Sequence, residues 1–411
     1  TAILYLGALA VTTISGLDFT MCMIAMSVFA VIITLGGMKV IGFTDVIQVF
    51  FLILGGLATT YLALQMVSDH FGGEGVMSGL NHLLTKAPEH FHMILNKDNA
   101  NYPSLPGLTV LIGGMWIINL NYWGCNQYIT QRALGADLQT ARTGILFAGL
   151  LKLLMPVIVM LPGIAAYVLY ENGHLPQLVG GKDGAYSAML TFLPTGLKGL
   201  SVAALTAAIV ASLAGKVNSI STIYTLDVHK KYIQKNATDR AQVNIGRYAV
   251  FAAMLLAVMF TWNDLLGIGG VGGFTYIQKY TGFISPGVFA MFFLGMFWKR
   301  TTGTAAIVGV IAGFLLSVLF NEFAPALFGN ETLLYTAYAN GKGGFEIPFH
   351  ICMGLSFVFT MLLMIAISFA GPKVNPKAFE LDTEMFKVKP QTTVLIVITL
   401  LIIFALYVKF W

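Results

Sequence analysis

The stretch TTVLIVITLLIIFALYV, residues 392–408, contains no charged side chain. A helix needs about 20 apolar residues to cross the hydrocarbon layer of a bilayer, and this stretch comes close to that length. Similar runs recur along nearly the whole chain, in which 57% of residues are hydrophobic and 10% are charged. Barrel strands alternate over about ten residues, a pattern that these runs lack. The sequence therefore predicts an all-α integral membrane protein.

Apolar runs separated by charged or Gly/Pro-rich segments predict eleven spans, and alternate connecting segments carry most Lys and Arg, which places those segments in the cytoplasm. The segment 68–106 is expected outside, with an interfacial or capping helix. The chain opens inside an apolar run, and we expect it to be the remainder of a longer protein. The predicted spans cover residues 2–16, 19–38, 43–67, 107–130, 142–171, 197–227, 244–263, 270–297, 302–320, 347–371 and 391–410.

Away from the span edges, three basic side chains, Lys152, Lys216 and Lys279, fall inside predicted spans, and none has a carboxylate at a similar predicted depth. An ammonium at membrane depth is costly and by default indicates function. Lys152 lies about 15 Å of helix beyond the cytoplasmic end of its span, near the midplane. Two interpretations stay open for Lys152: a substrate contact, or a cap on backbone carbonyls at the kinks expected near Pro156 and Pro162.

The fourth span carries Asn119, Tyr122, Trp123 and Asn126, which share one face if the segment is a regular helix. Amides donate to and accept from hydroxyl groups, and an aromatic ring suits the apolar face of a pyranose. This face predicts a sugar contact or, alternatively, hydrogen bonding between helices for packing. Gln278, which follows a glycine-rich stretch, is a second polar group of this kind.

That glycine-rich stretch, GIGGVGG at 267–273, formally contains the spacing of a dinucleotide-binding loop. No βαβ pattern surrounds it, so the stretch predicts a helix interruption or close packing. In the sixth span, Ala208, Ala211 and Ser212 expose backbone carbonyls to a neighbouring element. Such a face either packs closely or coordinates sodium, since neutral oxygens can hold a monovalent cation.

At these positions the chain resembles the sodium/solute symporter family, over essentially its whole length. The resemblance rests on six ordered blocks, GGMKVIGFTDVIQ at 36–48, NQYITQRALGA at 126–136, LLKLLMPVIVMLPGIAAYVLY at 150–170, NSISTIYTLDVHKKYI at 218–233, YIQKYTGFISPG at 276–287 and FWKRTTGTAA at 297–306.

The resemblance implies an inverted five-helix repeat with a leucine-transporter-like core, from which the N-terminal helices are missing in this chain. Residues 1–106 would be the end of the first repeat, with three helices and the external loop 68–106. Residues 107–297 would be the complete second repeat of five helices. Residues 298–411 would add three peripheral helices.

The resemblance also implies site residues. Asn119, Lys152 and Gln278 would contact the sugar, Tyr122 would cover it from the cytoplasmic side, and Trp123 would lie beside Tyr122. Ala208 and Ser212 would hold sodium, together with the neighbouring Ala211. Relatives commonly carry a serine at the position of Ala211, so one side-chain oxygen is in doubt.

The expected function is sodium-coupled symport of a monosaccharide, galactose or glucose, with the sodium ion as the cofactor. The alternative is a symporter of the same family for another solute, such as proline, pantothenate, sialic acid or myo-inositol, because fold does not fix substrate. A channel or receptor would need a selectivity filter or a signalling domain, and the sequence resembles neither. We expect a bacterial inner membrane location, no nucleic-acid partner and no enzymatic activity, and leave a homodimer open.

Overall fold

The computed structural model describes residues 1–99, 101–175, 181–328, 336–339 and 343–411, and these are almost entirely helical. The short strands β1 (Tyr338–Ala339) and β2 (Phe345–Glu346) pair antiparallel. The helices are α1 (Ala2–Ser15), α2 (Phe19–Leu35), α3 (Met38–Phe71), α4 (Gly75–Lys86), α5 (Leu108–Val110), α6 (Trp116–Leu120), α7 (Gln127–Ala133), α8 (Leu138–Lys152), α9 (Leu161–Glu171), α10 (Ala185–Thr191), α11 (Thr195–Ile223), α12 (Asp239–Thr261), α13 (Ile268–Val271), α14 (Gly273–Phe297), α15 (Gly303–Val318), α16 (Ala324–Phe328), α17 (Phe349–Phe369) and α18 (Pro390–Phe410).

Within the described ranges, eight helical stretches are long and apolar enough to cross a membrane, and α1 and α2 are shorter apolar helices. All eleven predicted spans coincide with helical segments, so the all-α membrane prediction is confirmed. The eight stretches are Gly42–Phe71, Leu138–Glu171, Thr195–Ile233, Asp239–Asp264, Gly273–Phe297, Gly303–Leu327, Phe349–Phe369 and Pro390–Phe410.

The fourth predicted span, 107–130, is a broken helix. It consists of α5 and α6 with π-helical turns at Leu111–Met115 and Asn121–Cys125. A π-helical turn widens the backbone by one residue and so changes which side chains share a face. The regular α-helix is also interrupted near Pro156, where a kink was predicted, because α8 ends at Lys152 and a π-helical turn follows at Pro156–Met160.

The glycine-rich stretch interrupts the helix, as the sequence predicted. Gly267 and Gly272 have φ angles of 65° and 89°, which a side chain disfavours, and they flank the short α13. Asp264 accepts hydrogen bonds from the backbone nitrogens of Ile268 at 2.7 Å and Gly269 at 2.9 Å, so its carboxylate caps α13. The described residues around this stretch are helical, which leaves no βαβ unit there.

The described residues divide into two compact units: residues 1–91 with 149–273, and residues 92–148 with 274–411. In the first unit, Leu64 and Val67 of α3 pack with Leu83 of α4 and Leu169 of α9. The helix α4 is the one expected in the external segment 68–106, of which residue 100 lies outside the described residues.

The second unit has a core of aromatic rings and small residues. Phe289 of α14 stacks on Phe357 of α17, with ring centroids 5.5 Å apart. The helices α14 and α15 meet where Gly287 faces Gly313. The approach is so close that a Cβ on Gly313 would lie 2.5 Å from the Cα of Gly287. Small residues at this point let the two backbones approach each other, as in other membrane helix pairs.

The packing of α4 on α3 generates a prediction. A Cβ on Gly79 would lie 1.9 Å from the carbonyl oxygen of Leu64, so α4 must shift in Gly79→Ala. Overpacking of this kind costs about 1–3 kcal/mol, and we expect a lower melting temperature in detergent.

The matched control is Gly163→Ala in α9, where an added Cβ meets no atom within 4 Å. Alanine favours a helix over glycine, so this variant should melt at or above the wild-type temperature. A Gly79→Ala protein that melts like the wild type would contradict the close contact between α3 and α4.

Candidate functional site

The polar face of the fourth span is shaped by the π-helical turn Asn121–Cys125. Asn119 is exposed at the end of α6, and its Nδ2 donates to the carbonyl oxygen of Met115 at 2.8 Å. Tyr122 is half-buried in the turn, with its ring nearly perpendicular to that of Trp123 at a centroid distance of 5.9 Å. The amide of Asn119 and the aromatic ring of Tyr122 thus lie within one short segment of the chain.

The structure corrects the predicted face at its far end. Asn126 was expected on the same face as Asn119, but its Oδ1 accepts from the backbone nitrogen of Tyr128 at 3.0 Å and caps α7. The i+7 relation assumes an uninterrupted α-helix, whereas the π-helical turn lies between the two residues. Asn126 is therefore a helix cap.

Asn121 is a polar group that the sequence analysis missed. Its side chain is buried, and its Nδ2 donates to the Ser285 hydroxyl of α14 at 3.1 Å. The Oδ1 of Asn121 is buried without a hydrogen-bond partner among the described residues. The sequence signal for Asn121 was its position in an apolar run as a second asparagine, two residues after Asn119. The bond joins the turn that carries Tyr122 to α14, the helix that carries Gln278.

Gln278 is half-buried on α14, just after the glycine interruption. Tyr276 and Tyr280 lie on either side of Gln278 in sequence, and their ring centroids are 4.4 Å apart. The prediction that Lys279 lacks a carboxylate at similar depth is wrong. Its Nζ lies 3.2 Å from Oε1 of Glu322, because a π-helical turn at Leu319–Phe323 carries the span past the predicted end at residue 320.

Lys152 is the last residue of α8 and lies near the middle of the candidate span Leu138–Glu171, in keeping with the predicted depth. Its side chain is exposed on the first unit, and the regular helix stops directly after it. Asn119, Tyr122 and Gln278 belong to the second unit. A shared sugar site built from all four residues therefore stays a prediction.

The sodium candidates lie on one side of the long helix α11. Ala211 is buried, whereas Ala208 and Ser212 are half-buried. A helical carbonyl keeps a second lone pair, so the carbonyl of Ala208 and the hydroxyl of Ser212 are neutral oxygens that can face a cation. Two residues after Ser212, the carbonyl oxygen of Ala214 lies 3.3 Å from the hydroxyl of Thr34 on α2. A polar group of another helix can therefore reach the backbone of α11. The assignment of these three residues to sodium stays a prediction.

Comparison with known proteins places the chain in a family. Residues 1–313 match the Sodium:solute symporter family. The whole chain is 39% identical to the sodium/glucose cotransporter of Vibrio parahaemolyticus and covers 74% of it. It is also 31% identical to the human sodium/myo-inositol cotransporter 2, over 77% of this chain and 49% of that protein. The chain thus spans about half the length of this mammalian relative.

Among solved structures, the fold is similar to that of a Na⁺-coupled sialic acid symporter in a substrate-bound, outward-open state. The TM-score is 0.69 at 18% sequence identity, over 90% of this chain and 71% of the other. The protein therefore has the predicted all-α, inverted five-helix repeat transporter fold with a leucine-transporter-like core. From its sequence and its fold, this multi-pass membrane chain belongs to the Sodium:solute symporter family.

Proposed function

We propose that this protein is a secondary active transporter that couples the entry of a monosaccharide, galactose or glucose, to the entry of sodium by alternating access. The observation that carries the proposal is the similarity to a bacterial sodium/glucose cotransporter over the whole chain, at 39% identity. The residues available in the fourth span and in α14 supply the polar and aromatic groups that a sugar requires.

The proposed sugar site uses five side chains. Asn119 and Gln278 offer amides to the sugar hydroxyls, and Lys152 offers a charged donor. Tyr122 stacks on the sugar from the cytoplasmic side, and Trp123 lies edge-on to the ring of Tyr122. A pyranose presents hydroxyls around its rim and C–H groups on its face, so amides at the rim and a ring on the face match it.

The proposed sodium site uses Ala208, Ala211 and Ser212 of α11. Backbone carbonyls and a hydroxyl suit a hard monovalent cation, whereas a proton relay would need titratable side chains along the path. Glu322, a carboxylate that lies inside the candidate span Gly303–Leu327, is paired with Lys279. That pairing supports sodium, rather than a proton bound to Glu322, as the coupling ion.

We also propose the arrangement of the chain around these sites. Residues 1–106 would supply the end of the first repeat, residues 107–297 the second repeat and residues 298–411 the peripheral helices. The bacterial relative supports a location in a bacterial inner membrane. A homodimer is an additional option for the assembly.

The runner-up is a sodium symporter of the same family for another solute. It is supported by 31% identity to a sodium/myo-inositol cotransporter. Sodium-dependent binding of labelled galactose, competed by an excess of glucose, myo-inositol, proline, pantothenate or sialic acid, separates the two. Displacement by glucose but not by the other four supports the monosaccharide, and failure of both labelled galactose and labelled glucose to bind would exclude it.

Replacing Ser212 with alanine removes one proposed sodium ligand. If a lost polar contact is worth roughly 1–1.5 kcal/mol, the sodium concentration for half-maximal uptake should rise about five- to tenfold. The measurement is galactose uptake in proteoliposomes over a range of sodium concentrations.

The matched control is Ser219→Ala on the same helix, because the Ser219 hydroxyl donates to the carbonyl of Gly215 at 3.1 Å. This variant should keep the wild-type sodium dependence. If Ser212→Ala also keeps it, the face around Ser212 serves packing and not ion binding.

Replacing Lys152 with alanine tests the charged donor in the proposed sugar site. A charge-assisted hydrogen bond is worth roughly 1.5–3 kcal/mol, so galactose affinity should fall about 10- to 150-fold. Removing a charge from within a membrane span can also stabilise a fold, so the melting temperature is measured on the same purified sample.

Lys235→Ala, which changes an exposed lysine in the connection before α12, is the control and should bind galactose normally. A Lys152→Ala protein that binds galactose like the wild type but melts at a lower temperature would move Lys152 to a structural role at the end of α8.

A further inference from the structure

An ion pair joins two membrane spans of the second unit beside the candidate sugar residue Gln278. Lys279 on α14 and Glu322 in the π-helical turn after α15 approach to 3.2 Å, with side chains 31% and 48% exposed. Both residues lie inside candidate spans, Gly273–Phe297 and Gly303–Leu327. Each charge alone would be costly at that depth, so the pairing makes the two side chains depend on each other.

The pair extends an antiparallel contact that small residues already establish. Gly287 of α14 meets Gly313 of α15. Lys279 lies eight residues before Gly287, and Glu322 lies nine residues after Gly313. At 1.5 Å per residue, the two steps correspond to about 12 and 13.5 Å, so the ion pair falls in register with the glycine contact. The glycines hold the two helices together in the middle, and the ion pair holds the N-terminal part of α14.

That part of α14 needs an anchor, because the chain is broken just before it. Gly272 has a φ of 89°, and α14 begins at Gly273, only a few residues before Gln278. In addition, the π-helical turn at Leu319–Phe323 changes the direction in which Glu322 projects, and such turns are frequent at functional sites. The turn presents Glu322 to Lys279 in this arrangement.

The rotation of α14 about its axis links the pair to Gln278. Successive residues of a helix project about 100° apart, so fixing the direction of Lys279 toward α15 also fixes the direction of Gln278. We propose that the Lys279–Glu322 ion pair is a positioning contact that orients Gln278 toward the transported sugar. This inference rests on the proposed function of the protein, and it assigns a role in substrate affinity to two residues that do not touch the substrate.

The test compares wild type with Glu322→Gln, Lys279→Met and the exchanged double variant Lys279→Glu/Glu322→Lys in proteoliposomes. Each single variant should raise the KM for galactose about three- to fivefold, as expected for loss of a partly exposed pair, while the maximal rate and the sodium dependence stay near wild type. The exchanged variant should return the KM to within about twofold of wild type, because it restores the attraction.

The matched control is Glu380→Gln, which removes the more exposed pair of Glu380 with Lys299 at 4.0 Å and should leave the KM unchanged. Single variants that melt at lower temperature but keep the wild-type KM would overturn the inference, as would an exchanged variant that fails to restore a raised KM. A wild-type protein that transports neither galactose nor glucose would overturn the proposed function and this inference together. Transport by the wild type with unchanged KM in the variants overturns this inference alone.

Discussion

A polar group inside a bilayer must find its partner within the protein, because lipid offers no hydrogen bonds, and the described structure follows from this constraint. Backbone groups are satisfied by helices, and many polar side chains bond to carbonyls or to one another, although the buried Oδ1 of Asn121 does not within the described part of the chain. Thr34 reaches a carbonyl of α11, Asn121 reaches Ser285, and Lys279 pairs with Glu322. Gln278 lies six residues after the break at Gly272, and Lys152 is the last residue of α8 before the regular α-helix is interrupted.

The same constraint explains what the sequence could predict. Apolar length determines where spans lie, and the eleven predicted spans coincide with helical segments. The interruptions of the regular helix at GIGGVGG and near Pro156 were also predictable, since glycine and proline disturb a helix for reasons that are local to the residue. The capping roles of Asp264 at α13 and of Asn126 at α7 depend on those breaks and became visible only with the structure.

The π-helical turns were beyond reach of the sequence pattern, because a widened turn depends on tertiary contacts and leaves no fixed residue signature. Two errors follow from them: Asn126 was placed on the face of Asn119, and Glu322 was placed beyond its span, which left Lys279 without a partner. Asn121 was missed because its burial depends on packing against Ser285, far away in sequence. The candidate sugar and sodium residues were predicted from the family resemblance and from the chemistry of their side chains. Their roles are tested by the substitutions at Ser212 and Lys152.

The pairing of Glu322 with Lys279 and the neutral oxygens available on α11 both favour sodium over a proton as the coupling ion. The direct measurement is galactose uptake into proteoliposomes that carry either an inward sodium gradient or an inward proton gradient with choline in place of sodium. We expect accumulation above equilibrium with the sodium gradient and none with the proton gradient. Equal uptake when choline replaces sodium would contradict sodium coupling.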